Sequence, residues 1–208
     1  MTKIDTGSDP HHYSYTAYAD PAMASGFDAA RFGGPIGAML LEDQEQVLNS
    51  FLGDVAGVSL LDLGTGTGRA ALALARRGAR VTAVDASSEM LNVARQRAAD
   101  VRLAISFKEG DAHDLEFPDR SFDKAVCLRV LMHAPDWRRC VSELCRVTAQ
   151  RVVFDYPALA SAAALQALWR RLVHAAGHRT EAYRVFAGPT IARELERHGF
   201  QIDRKSVV

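Results

Sequence analysis

The chain has no surplus of either charge: 25 lysines and arginines balance 25 aspartates and glutamates over 208 residues. Binders of nucleic acid or of anionic membranes usually carry a basic excess, so the balance argues against either as the main partner. Cysteine is also scarce. Cys127, Cys140 and Cys145 form an odd set without a CxxC pair, which argues against a disulfide framework and for a reducing, cytoplasmic setting. No apolar run approaches the roughly 20 residues of a membrane-spanning helix. No basic stretch followed by an apolar one opens the chain, so no secretion leader is expected. Internal repeats and low-complexity linkers are missing too. With 48% hydrophobic residues, the length suits one domain with a full core.

What is present is an alternation of short apolar runs and helical patterns. "VSLLDLG" (58–64), "RVTAVDAS" (80–87), "ISFKEGDA" (105–112), "FDKAVCLRV" (122–130), "RVVFDYP" (151–157) and "FQIDRKSVV" (200–208) read as strands. Helices are predicted over 36–52, 68–79, 87–99, 136–148, 161–176 and 189–198, with Ser87 or Ser88 and Asp136 as N-caps and Gly78 and Gly199 as stops. In the first helix, Met39, Leu40, Val47, Phe51 and Leu52 fall near one face. Strands apolar on both sides and alternating with helices predict an α/β, doubly wound, mostly parallel sheet covered on both faces. Residues 1–35 read as an N-terminal cap or lid and 36–208 as the ligand-binding α/β domain.

The first strand ends in "GTGTG" (64–68). In an open parallel sheet, ligands bind beyond the carboxyl ends of the strands at the switch point. Glycine there allows unusual dihedrals and lets the backbone approach a ligand closely. Gly64, Gly66 and Gly68 are therefore candidate binding residues, with Thr65 between them, and the following helix start would offer N–H groups. Two ligands compete: a dinucleotide and S-adenosylmethionine (SAM). The dinucleotide fingerprint GxGxxG needs a third glycine at position 69, where this chain has Arg69. Asp85 ends the second strand, beside Ala86, where a carboxylate can accept both hydroxyls of a ribose, whichever nucleoside is bound. Asp62 lies two residues before Gly64, close enough to repel a pyrophosphate.

"LLDLGTGTGR", "VTAVDASSEML", "EGDAHDLEFPDRSFDKAVCLRVLMH" and "RVVFDYP" together resemble class I SAM-dependent methyltransferases, in the broad branch that includes the ubiquinone/menaquinone-type enzymes. The resemblance spans residues 36–157. It implies a Rossmann-like class I fold, SAM as cofactor with S-adenosylhomocysteine (SAH) as product, and a small-molecule methyl acceptor. It implies a role for Asp62 toward the cationic amino end of SAM. Asp111 matches the position near the adenine amino group, and Ala112 offers its N–H to a ring nitrogen. Met90 matches an apolar packer on adenine, and Leu128 and Arg129 match residues lining the methionine portion.

His133 follows the fourth strand, on the side facing the transferred methyl, and is the candidate catalytic base. His11, His12, His113, His174, His178 and His198 have no metal-ligand spacing and read as surface or loop residues, so no metal is expected. The aromatics Tyr13, Tyr15, Tyr18, Phe27 and Phe32 suit a lid. Segment 158–190, with Trp169, Tyr183 and Phe186, suits a second wall of the acceptor pocket. The family usually ends with a sixth strand and an antiparallel seventh. Here "FQIDRKSVV" reads as the sixth, so the C-terminal strand pair is expected to be incomplete or modified, with an oligomer contact, such as a homodimer, or a non-standard strand covering the gap. Two other functions remain open: a catalytically silent SAM-binding or scaffold protein, and an NAD(P)-binding oxidoreductase.

Overall fold

The computed structural model describes residues 23–24, 26–28, 33–159, 161 and 184–206. Five strands form one parallel sheet: β1 (Ser59–Leu63), β2 (Arg80–Asp85), β3 (Ser106–Glu109), β4 (Phe122–Cys127) and β5 (Thr148–Phe154), in the order β3-β2-β1-β4-β5. The register pairs Asp62 with Ala83 and with Val126, and Cys127 with Phe154. The chain winds outward from β1 to β3, then crosses to β4 on the other side. The β1/β4 boundary is thus the switch point at which a ligand crevice opens.

Alternating side chains of the strands feed two cores, as the pleat requires. Leu61, Leu63, Ala125 and Cys127 pack with α4 (Trp137–Val147) and α5 (Gly188–Arg197). Leu60, Val81, Ala83 and Val126 pack with α1 (Gly34–Leu52) and α2 (Arg69–Arg76). Helix α3 (Ser88–Asp100) lies against β2 and β3. Its cap is Ser87, whose side chain accepts the Met90 N–H at 3.1 Å. Asp136 caps α4 by accepting the N–H groups of Arg138 and Arg139. Both caps satisfy amides that a helix start leaves without partners.

Three expectations are corrected. In α1 the buried positions are Gly37, Leu48 and Leu52, whereas Met39 and Leu40 point to solvent, 55% and 43% exposed. β5 starts at Thr148, three residues before the expected Arg151, because its first residue pairs with Phe122 across a register shift. Residues 200–206 join no strand; Phe200 and Ile202 instead pack against the α4/α5 core. Apart from Ser161, the expected helix at 161–176 lies outside the described residues. No helix among the described residues is long and apolar enough to cross a membrane.

Candidate active site

A cavity of about 410 Å³ opens at the carboxyl ends of β1, β2 and β4. That lies within the range of small-molecule sites. Its wall includes Asp62, Gly64, Thr65, Gly66, Asp85, Ala86, Met90, Asp111, Ala112, Leu128, Arg129 and His133, so the structure brings together every expected site residue except Gly68. A Cβ built on Gly68 would stand 2.9 Å from that of Ala94. Gly68 therefore serves the close approach of the α2 entry to α3, not the cavity.

The other two glycines differ from each other. Both have positive φ, +71° at Gly64 and +55° at Gly66. A Cβ on Gly64 would meet Val130 Cγ2 at 2.1 Å, so the turn after β1 and the loop after β4 interlock there. A Cβ on Gly66 would meet no atom within 4 Å. Gly66 is thus the bare point of the cavity wall.

Four of the five amides of this turn are already engaged. Gly64 N and Thr65 N donate to Val84 O at 2.8 and 3.0 Å, and Gly68 N donates to Thr65 O at 3.0 Å. Gly66 N donates to Asp85 Oδ2 at 2.7 Å, while Ser87 N donates to Asp85 Oδ1 at 2.9 Å. Four amides of the turn, those of Gly64, Thr65, Gly66 and Gly68, thus have partners within the chain. The turn offers shape and carboxylates.

Asp62 is 2% exposed, and its carboxylate accepts the Thr65 hydroxyl at 2.7 Å. Burial lifts its carboxyl to about 6, with the neighbouring Asp85 charge adding to the rise and Thr65 opposing it. Burial also raises Asp85, against the pull of its Ser87 and Gly66 amide bonds. Two costly carboxylates beside engaged amides repel a pyrophosphate and favour a cationic group. The cavity thus fits a nucleoside with a positively charged arm. It has a carboxylate in Asp85 at the end of β2, a bare turn at Gly66 and an apolar side chain at Met90.

His113, read as a surface or loop residue, lies in the loop after β3 but not at the surface. It is buried, lines the cavity, and has its backbone N and ring Nδ1 at 2.9 and 2.7 Å from Asp111 Oδ1. Arg139 Nε donates to the His113 carbonyl at 2.7 Å, and Arg146 bonds the Leu115 and Phe117 carbonyls at 2.8 Å, so α4 fixes this loop. The Asp-x-His spacing was the available signal. Phe186 is corrected as well: it packs in the core on Trp137 and Tyr156 instead of lining the cavity. Among the suggested lid aromatics, Phe27 lines the cavity; Tyr13, Tyr15, Tyr18 and Phe32 lie outside the described residues, as do Trp169 and Tyr183. Next to Phe27, Asp28 accepts from Thr67 Oγ1 at 3.1 Å and pairs with Arg69, at 3.5 Å, and with Arg97. Position 69, where the dinucleotide fingerprint would have glycine, is thus occupied by a side chain with a partner of its own. No group of three or more histidines, cysteines or acids able to hold a metal occurs among the described residues.

The profile of a methyltransferase domain matches residues 61–154, the stretch from β1 through β5. Over this stretch the chain is similar to methyltransferase domains. Demethylmenaquinone methyltransferase of Deinococcus radiodurans is 37% identical over 107 residues, which are 49% of this chain and 44% of that one. Magnesium-protoporphyrin O-methyltransferase of Rhodobacter capsulatus is 35% identical over 102 residues, 49% and 46% of the two chains. The matched stretch spans less than half of each of these relatives. Magnesium protoporphyrin IX methyltransferase of Synechocystis PCC 6803, solved with SAH, superposes with a TM-score of 0.70 over 91% of this chain and 90% of that one, at 23% identity. The methyltransferase fold is therefore present well beyond the matched stretch. It is shared by a [4+2]-cyclase, SpnF, at a TM-score of 0.60 and 23% identity over 76% of this chain and 56% of that one, so the fold by itself does not fix the reaction.

Proposed function

We propose that this chain binds SAM in the cavity beyond β1, β2 and β4 and methylates a small-molecule acceptor. The observation that carries the reading is the chemistry of the glycine turn: engaged amides, a bare Gly66 and two buried carboxylates. Relatives named for demethylmenaquinone and magnesium protoporphyrin support a small acceptor, as does the balanced charge. Three free, buried thiols fit a cytoplasmic setting.

Bound SAM supplies a methyl group on a good leaving group, which an acceptor displaces in line. Asp85 accepts the ribose hydroxyls while bracing the Gly66 and Ser87 amides. Asp62 faces the cationic amino end. Asp111, held by His113, and the Ala112 N–H read the adenine edge, with Met90 packed on the ring. Leu128 and Arg129 flank the methionine arm. His133, 9% exposed in the cavity wall, stands where it can take a proton from the acceptor. Alignment of acceptor and methyl carries much of the rate, so the base is an addition to positioning.

Calorimetry with SAM, SAH and NADH tests the ligand, and transfer of labelled methyl to a panel of quinols, catechols and porphyrins tests the reaction. Binding of SAM and SAH without NADH, with label in an acceptor, is the expected result. A second reading, a SAM-binding protein without transfer, is favoured by the cyclase of the same fold. Tight SAH binding with no labelled product over the whole panel would establish it.

A further inference from the structure

Asp155 follows β5 and does not line the cavity, yet it reaches the cavity wall through the backbone of another strand. Its carboxylate Oδ1 accepts the N–H of Arg129, and its own N–H donates to Cys127 O at 3.4 Å. The β4/β5 ladder ends at the Cys127–Phe154 pair. One step farther, a side-chain oxygen takes the place of the next backbone acceptor.

That substitution matters because of what Arg129 does. Its φ is +62°, one of three non-glycine residues in the left-handed region among the described residues. An L-residue enters that region at a cost and stays there only when its surroundings hold it. Arg102 and Arg120, the other two, lie away from the cavity wall, whereas Leu128, Arg129 and Val130 are all part of it. The turn at Arg129 also delivers Val130 onto Gly64, the contact that makes a Cβ at Gly64 impossible. Burial pushes the Asp155 carboxyl up, while the Arg129 N–H and the Arg129 charge pull it down. The carboxylate is therefore tied to Arg129 both by hydrogen bond and by charge.

We infer that Asp155 is a positioning residue for the SAM site: it holds Arg129 in the left-handed conformation and so sets the wall Leu128–Val130 against the glycine turn. The inference rests on the proposed SAM site for its ligand readout, and on nothing beyond the backbone geometry for its second readout.

A double-mutant cycle tests it, with SAH affinity by calorimetry and melting temperature measured on each protein. Asp155→Ala should weaken SAH binding about tenfold, the worth of one charge-assisted hydrogen bond and the strain it restrains. Asp155→Asn keeps an acceptor oxygen and should restore binding to within about threefold of the unmodified chain. Glycine adopts positive φ without strain, so in an Arg129→Gly background Asp155→Ala should cost less than about threefold, and its melting penalty should shrink. An equal loss in both backgrounds, or Asp155→Ala binding like the unmodified chain, would overturn the inference. If the unmodified chain binds no SAH, the proposed function fails instead, and the melting-temperature cycle alone decides whether Asp155 holds Arg129.

Discussion

Replacing Asp62 with asparagine should make the ligand-free protein more stable at neutral pH while making it a poorer binder. Asp62 is 2% exposed, and burial moves its carboxyl from an ordinary 3.8 to about 6. At about 1.4 kcal/mol per pH unit, keeping that group charged costs about 3 kcal/mol at pH 7 and above. The sign follows from proton affinity. Between its two values the folded chain holds the proton that the unfolded chain has released, so stability falls as pH rises from 3.8 to about 6 and is level beyond. Below 3.8 both states are protonated and the cost disappears. The carboxamide has no such dependence; its oxygen can still accept the Thr65 hydroxyl, while its NH2 cannot accept the Ala71 N–H that the carboxylate bonds, which takes back part of the gain. For a chain of this size, about 3 kcal/mol corresponds to a rise in melting temperature of roughly 6–12 °C at neutral pH. The rise should shrink toward zero near pH 4. SAH affinity should fall about tenfold or more as the amino group loses a charged partner. Thermal melts from pH 4 to 8 beside calorimetry read both effects. Equal melting temperatures at pH 7.5, or a gain that does not vary with pH, would refute the reasoning.

Asp85→Ala removes the proposed ribose acceptor and releases the Gly66 and Ser87 amides, so calorimetry should show SAM affinity reduced by at least about tenfold; an unchanged value would remove Asp85 from the site. Gly64→Ala drives a Cβ to 2.1 Å from Val130, and should cost about 2–4 kcal/mol in denaturant melts; Val130→Ala in the same chain should recover part of it. Gly66→Val and Gly68→Ala should separate binding from packing: the first abolishes SAH binding from the open side of the turn, and the second chiefly lowers the melting temperature through Ala94. The reverse pattern would mean that the ligand lies elsewhere.

Much of this site could be read before any coordinates, for a physical reason. Gly64, Gly66, Asp62 and Asp85 act within a few residues of a strand end, and the strand ends are marked by apolar runs that stop at polar or glycine residues. Local order is therefore enough to place them. What escaped reading depends on contacts distant in sequence. Asp155 acts on Arg129 across two strands. Asp28 acts on Arg97 from the segment before α1. Of the face expected for α1, Met39, Leu40, Val47, Phe51 and Leu52, the last is buried, whereas Met39 and Leu40 belong with Ile36 to an exposed apolar stripe that competes with the one containing Leu48 and Leu52. Only packing against β1 and α2 selects the second. β5 begins early because Phe122 supplies a ladder partner to Thr148, and a run such as "TAQ" shows no apolar signal of its own. His113 was legible in part: an aspartate two residues before a histidine can bend back onto it, a local bond that outweighs the habit of assigning isolated histidines to the surface.

The ion pairs of Asp28 have a practical consequence for anyone dividing the chain into pieces. A fragment begun at Gly33 would keep all five strands, and its sheet would give an ordinary circular dichroism spectrum. Yet Arg69, which lines the crevice, and Arg97 would lose their shared counter-charge. Such a fragment would look sound and bind poorly, and the fault would be sought in the wrong half of the molecule.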